Sequence, residues 1–232
     1  MTSGVAMTQR GLELIPLADG GRLRLSVVAP DSTVRGGIVV GPEARGITDE
    51  VWRLATGLAI EGWLAVIPHL FHRCDVDEPP EDGDVLRGGL ERLTGESLRT
   101  DIDATMQWLA RSGVSADRTG VVGFCLGGAV ALITATQYDL GAAVTIGGIG
   151  VVAPVAATLP ALVDIAPSLR CPWLGIYDDD GVVPEEDVNK LRDAAHSARV
   201  ATDLVHCHFD TDQCVAPEAW TRTLNWFDSH LR

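Results

Sequence analysis

Val121-Val122-Gly123-Phe124-Cys125-Leu126-Gly127-Gly128 is an apolar run that passes through small residues into Ala129-Val130-Ala131-Leu132, a stretch rich in helix formers. Unbroken apolarity followed by that continuation predicts a buried strand over 119–123 and a helix over 127–136. Between them sits a thiol. Glycine two residues before and two residues after Cys125 permits a turn sharp enough to leave its side chain exposed above the end of a sheet. A helix N-terminus favours the thiolate, and an adjacent histidine lowers a thiol's pKa further. The ordinary fate of a free cysteine is burial in the core; the flanking glycines and the strand-to-helix context favour a nucleophile here. Cys74, Cys171, Cys207 and Cys214 lack that context.

Outward from this segment, the pattern alternates. Toward the N-terminus, apolar strands are expected at 37–40 and 64–67, with helices over 49–61 and 98–112. Toward the C-terminus, strands are expected at 142–146, 173–177 and 201–207, and helices over 185–196 and 217–231. In the last of these, Trp220, Leu224 and Phe227 share one face. Strands separated by helices need right-handed crossovers, which gives a mostly parallel sheet covered on both faces. Ahead of it, the runs 12–16 and 23–28 flank Ala18-Asp19-Gly20-Gly21, a turn that joins antiparallel strands. An antiparallel hairpin followed by a parallel α/β sheet is the α/β-hydrolase arrangement. Residues 147–167 are apolar and loop-like, either a partial lid or one more crossover.

At 232 residues without repeats or a Ser/Pro linker, the chain is expected to be a single domain over 1–232. A hydrophobic share of 46% is enough for a sizeable core without staples. The net charge of −14 argues against nucleic acid as a partner, because phosphate contacts need clustered Lys and Arg. The acidic stretch 75–84 reads as a solvated loop. Five cysteines without a CxxC pair signal neither a zinc site nor a dithiol redox motif, so no metal or cofactor is expected. No apolar signal core and no membrane-spanning run is evident, so a cytoplasmic, reduced protein is expected. A monomer or a homodimer fits the sequence.

The residues resemble the dienelactone hydrolase family, α/β-hydrolases with a Cys-Asp-His triad, over nearly the whole chain. Gly123 to Gly128 is similar to the family's Gly-Phe-Cys-x-Gly-Gly signature. Gly37-Ile38-Val39-Val40-Gly41-Pro42-Glu43-Ala44-Arg45-Gly46 is similar to its strand ending in a Glu-x-x-Gly loop, and His69-Leu70-Phe71-His72-Arg73 to its stretch after the next strand. The resemblance implies hydrolysis of a small ester or lactone. It implies an acid in Tyr177-Asp178-Asp179-Asp180-Gly181-Val182-Val183-Pro184, where counting back from Val183-Pro184 gives Asp180 and counting forward from Gly175 gives Asp178; Asp180 is preferred. It also implies a histidine after the final strand. Val205-His206-Cys207-His208-Phe209 lacks the family's glycine and several loop residues; His208 is preferred because it lies nearest the Phe anchor, whereas His206 falls within the strand.

Physical chemistry supplies the rest of the expected site. A thiolate attack on a carbonyl creates an oxyanion that needs two donors. The Leu126 N–H is one by elbow geometry, and the Ala44 N–H, in the loop after 37–40, is the other. Glu43, beside a thiol above an apolar sheet, is expected to be partly desolvated and able to act as a base, the role the resemblance also implies. Arg45 is placed to pair with a substrate carboxylate or to point into solvent. His72 and Arg73 are expected to hydrogen-bond loop carbonyls, and His69, His196 and His230 to be surface or packing residues. Two other classes stay open. One is a binding protein of the same fold with an incomplete triad, and the other a redox sensor, for which no resolving cysteine is evident.

Overall fold

A computed structural model describes residues 8–73, 90, 93–179, 181–208 and 216–231. Its frame is one eight-stranded sheet in the order β1-β2-β4-β3-β5-β6-β7-β8. The strands are β1 (Gln9–Pro16), β2 (Arg22–Ala29), β3 (Gly36–Gly41), β4 (Trp63–Pro68), β5 (Thr119–Phe124), β6 (Ala142–Ile146), β7 (Trp173–Asp178) and β8 (Thr202–Cys207). β1 and β2 form the expected antiparallel hairpin, β2 pairs antiparallel with β4, and from β4 to β8 every pairing is parallel. This is the α/β-hydrolase fold.

Side chains of a strand alternate between faces, and the core divides accordingly. Val122, Ile38, Ile67, Val144 and Ile176 pack with helices α1 (Asp49–Ile60) and α6 (Pro217–His230), through Leu54, Leu58 and Phe227. Val121, Val39, Val66 and Tyr177 pack on the other side with α2 (Gly95–Arg111), α3 (Leu126–Gln137), α4 (Leu162–Ile165) and α5 (Glu185–Ala195). α1 and α2 carry apolar stripes with polar outer faces, and side-chain caps start both: Thr48 accepts from the Val51 N–H, and Thr94 and Ser97 form a reciprocal capping box. α3 differs, because every residue from Leu126 to Ala135 is buried. A helix apolar all round sits inside the protein, and this one begins at Cys125.

Residues 147–161 and α4 together form the crossover from β6 to β7, one of the two roles expected of that segment. Val151, Leu159 and Leu162 are buried in the core, whereas Val152 faces solvent. The acidic stretch 75–84 lies outside the described residues.

Candidate active site

The elbow is built from glycine backbones. A Cβ on Gly127 would lie 2.4 Å from the Gly41 carbonyl oxygen, and one on Gly123 would lie 2.4 Å from the Gly127 carbonyl carbon. The first turn of α3 therefore rests directly on the C-terminal ends of β3 and β5, a contact any side chain would break. Cys125 takes φ 46° and ψ −108°, the only positive φ at a non-glycine residue among the described residues. Such a conformation costs about 1–3 kcal/mol and persists only where neighbours over-determine it. They do so here: the Cys125 N–H donates to the Ile146 carbonyl at 3.1 Å, and its own carbonyl accepts from the N–H groups of Ala129 at 3.1 Å and Ile149 at 3.2 Å. The result is an exposed thiol at a helix N-terminus. Among the described cysteines, Cys171 and Cys207 are buried, and burial pushes the Cys171 thiol up to about 12.

After β3, the chain turns at once. Glu43 and Gly46 exchange backbone hydrogen bonds of 3.0 and 2.9 Å, with Gly46 at φ 86° closing the turn and Ala44 and Arg45 at its tip. Because Gly41 touches Gly127, this loop lies beside the start of α3, whose first helical residue is Leu126. Glu43 is half-buried and Arg45 exposed. Burial raises the Glu43 carboxyl above the ordinary glutamate range, and the Glu50 charge adds to this; a hydrogen bond from Thr48 and the Arg45 charge oppose it.

One expectation is corrected. A helix N-terminus and a neighbouring histidine were expected to favour the thiolate; instead burial, and secondarily the Glu43 charge, push the Cys125 thiol up. Cys125 opens to solvent, yet partial burial around it disfavours the charged form.

The other sequence-derived residues lie at the far ends of β7 and β8. Asp178 ends β7, Asp179 follows it, and Asp180 lies outside the described residues. His206 lies within β8 opposite Tyr177, and its Nδ1 is 3.4 Å from an Asp179 carboxylate oxygen. His208 is exposed, one residue beyond the strand. The structure thus brings His206 and Asp179 together, a pair that strand patterning gave no reason to single out.

His72 and Arg73 do something other than bond loop carbonyls. Asp101 of α2 is fully buried and accepts from Arg73 at 2.7 Å, with the His72 Nε2 at 3.1 Å; Arg73 reaches on to Asp19 in the β1–β2 turn at 3.1 Å. This ties the segment after β4 to the hairpin and to α2. His69 meets the Ser26 hydroxyl at 2.9 Å. Sequence spacing could not reveal Asp101 as the partner, because it lies 28 residues from Arg73. Among the described residues no group of three or more His, Cys, Asp or Glu is arranged to hold a metal, and no helix is long and apolar enough to cross a membrane.

Comparisons with known proteins agree with this fold. Proteins of Salmonella typhi and Escherichia coli (strain K12), both named "Putative carboxymethylenebutenolidase", are similar to the chain. The first is 30% identical over 208 residues, covering 82% of this chain and 76% of that protein; the second is 28% identical over 211 residues, covering 83% and 76%. A crystal structure described as a "Putative Dienelactone Hydrolase from Klebsiella pneumoniae subsp. pneumoniae MGH 78578" superposes with a TM-score of 0.85 at 26% identity, covering 96% of this chain and 99% of that one. The model of the dienelactone hydrolase family matches residues 23–231, from the second strand of the hairpin to the end of α6, so the elbow, the Glu43 loop and the ends of β7 and β8 all fall inside it and the chain belongs to that family.

Proposed function

We propose that this protein hydrolyses a small carboxylic ester or lactone, with Cys125 as nucleophile. Family membership supports hydrolysis of this substrate class. The observation that carries the mechanism is the strained, solvent-open Cys125 at the β5–α3 elbow, within reach of the Glu43 charge.

In the proposed sequence, the Glu43 carboxylate takes the proton of the Cys125 thiol, and the thiolate adds to the substrate carbonyl carbon. The Leu126 and Ala44 N–H groups hold the resulting oxyanion. When the intermediate collapses, the carbon–oxygen bond to the alcohol breaks. The departing alkoxide takes the proton back from Glu43, leaving a thioester; with a lactone, that hydroxyl stays on the acyl chain. Histidine then removes a proton from water, hydroxide adds to the thioester, and the carbon–sulfur bond breaks. The thiolate recovers the proton from the imidazolium, restoring thiol, carboxylate and neutral histidine.

His208 supported by Asp180 is the proposed proton carrier. Neighbouring strands are about 4.8 Å apart, so β8 lies about 14 Å from β5 across β6 and β7. A histidine fixed in the β8 ladder, as His206 is, stays at that distance. His208 is the first residue beyond the β8 ladder, so strand pairing does not hold it at that distance. Arg45, exposed at the turn tip beside Glu43, pairs with a carboxylate on the substrate. The whole chain acts as one domain, cytoplasmic, as a monomer or homodimer, without metal or cofactor and without nucleic acid as partner.

Cys125→Ala should abolish turnover of a short-chain aryl ester while the circular dichroism spectrum and thermal midpoint stay close to those of the parent; retained turnover would reject the nucleophile. A binding protein of the same fold is the second reading, favoured by the exposed His208 in a stretch that lacks the family's glycine. In that case Cys125 fails to react with iodoacetamide at neutral pH and no ester or lactone is turned over.

A further inference from the structure

Three polar side chains lie buried beneath the elbow where apolar ones would pack as well. Thr145 of β6 and Trp173 of β7 have no exposed surface, and Tyr177 of β7 is 1% exposed. The Trp173 indole N–H donates to the Thr145 hydroxyl oxygen at 3.0 Å, and the Thr145 hydroxyl donates to the Gly128 carbonyl in the first turn of α3, also at 3.0 Å. The Tyr177 hydroxyl donates to the Gly148 carbonyl at 3.2 Å. A hydroxyl in a core is unfavourable unless it is hydrogen-bonded, and these two are bonded to the backbone carbonyls of Gly128 in α3 and Gly148 after β6.

Both connections end next to the groups that hold the strained residue. Gly128 is three residues after Cys125, on the turn that presents the Leu126 N–H. Gly148 precedes Ile149, whose N–H donates to the Cys125 carbonyl. The pieces interlock: a Cβ on Gly148 would lie 2.5 Å from Thr145 Cγ2 and 3.2 Å from the Tyr177 hydroxyl, and one on Gly128 would lie 3.1 Å from the Gly148 Cα. Along the sheet, Thr145 stands between Gly123 and Gly175, its register partners on β5 and β7, so nothing bulky separates it from the elbow.

We infer that Thr145 and Tyr177 are positioning residues for the hydrolysis, holding the Leu126 N–H in line with the Cys125 sulfur from below the sheet edge without touching substrate. The inference rests on Cys125 acting as the nucleophile. Misalignment of a nucleophile and an oxyanion donor by a fraction of an ångström slows acyl transfer, because both must address the same carbonyl.

Thr145→Val and Tyr177→Phe keep shape and remove one hydroxyl each, while Thr145→Ser keeps the hydroxyl. Alkylation of Cys125 by iodoacetamide needs the thiol but no oxyanion donor, so it separates positioning from general loosening. The two hydroxyl-deleting variants should lose about tenfold in kcat on a short-chain aryl ester with KM within about twofold, and Thr145→Ser should retain most of the parental rate. Their alkylation rates, followed by intact mass, should stay within about twofold of the parent. If Thr145→Val is too unstable to purify, Tyr177→Phe decides alone. Unchanged kcat in the variants overturns this inference, as does an equal fall in kcat and alkylation, while the parent remains an esterase. A parent that turns over no ester or lactone removes the hydrolase reading and this inference with it.

Discussion

The two ends of the candidate site are built differently. At the β3–β5–α3 junction, Gly41, Gly123 and Gly127 meet backbone to backbone, and the hydrogen bonds made directly to the Cys125 backbone come from main-chain groups of Ala129, Ile146 and Ile149. At the β7–β8 end the relevant residues are charged side chains on an outer strand and its loops, with Asp179 60% exposed. The proposed nucleophile and proposed oxyanion donors are placed by the fold itself. The proposed proton carrier lies at the periphery, where the described residues include the solvent-exposed His208 and Asp179.

The sharpest way to break this comparison is at the histidines. His208→Asn should lower kcat by about 10³-fold or more, as loss of a triad base does. His206→Asn should stay within a few-fold of the parent. Steady-state kinetics on one aryl ester check both. A large loss at His206 and none at His208 would move the proton carrier to the His206–Asp179 pair and show that β8 bends toward the elbow.

The central end should break through packing. Gly127→Ala places a Cβ 2.4 Å from the Gly41 carbonyl oxygen, with backbone on both sides and nothing free to move. The expected cost is about 3 kcal/mol or more in urea unfolding, at the upper end of overpacking penalties. Gly147→Ala is the control. That glycine has φ 54° but open space around its Cα, so the cost should be about 1 kcal/mol, from backbone conformation alone.

The sequence carried the central end because its determinants are local and chemical. Glycine spacing around Cys125, the abrupt change from strand to helix, and the strand before Glu43 each depend on a few adjacent residues, and each element expected along the described chain is present. The buried cross-links were not legible. Asp101 beneath Arg73, and Trp173, Thr145 and Gly128 in series, join residues that come together only through the sheet order. The thiol's proton affinity was misjudged for a related reason. Helix position can be read from sequence, whereas the burial that raises the thiol depends on how the elements pack around it.

Glu43 links local sequence to that desolvation. Glu43→Gln should lower kcat/KM by about 10² at neutral pH, within the usual worth of a general base, and should remove the acidic limb of the pH–rate profile. Stability should move the other way. Because burial raises the carboxyl in the folded protein, the unfolded chain gives up that proton first. The folded state is therefore fully favoured below the ordinary glutamate range and loses ground as pH rises through the raised value. Glutamine does not ionise, so Glu43→Gln should gain in thermal midpoint relative to the parent as pH rises from acid to neutral. A midpoint difference that is flat with pH would show that Glu43 is solvated and unfit to serve as the base.

The smallest effect is expected at Asp179. Its carboxylate meets the His206 Nδ1 at 3.4 Å, longer than a good charged hydrogen bond, and both side chains reach solvent. Exposed pairs of this kind contribute about 0–1 kcal/mol. Asp179→Asn should therefore change urea stability by less than about 0.5 kcal/mol and kcat by less than about twofold. If it instead lowers kcat as far as His208→Asn does, then the carboxylate that orients the catalytic histidine is the one at the end of the β7 ladder. The periphery would then be as rigidly determined as the elbow, and the contrast between the two ends would be lost.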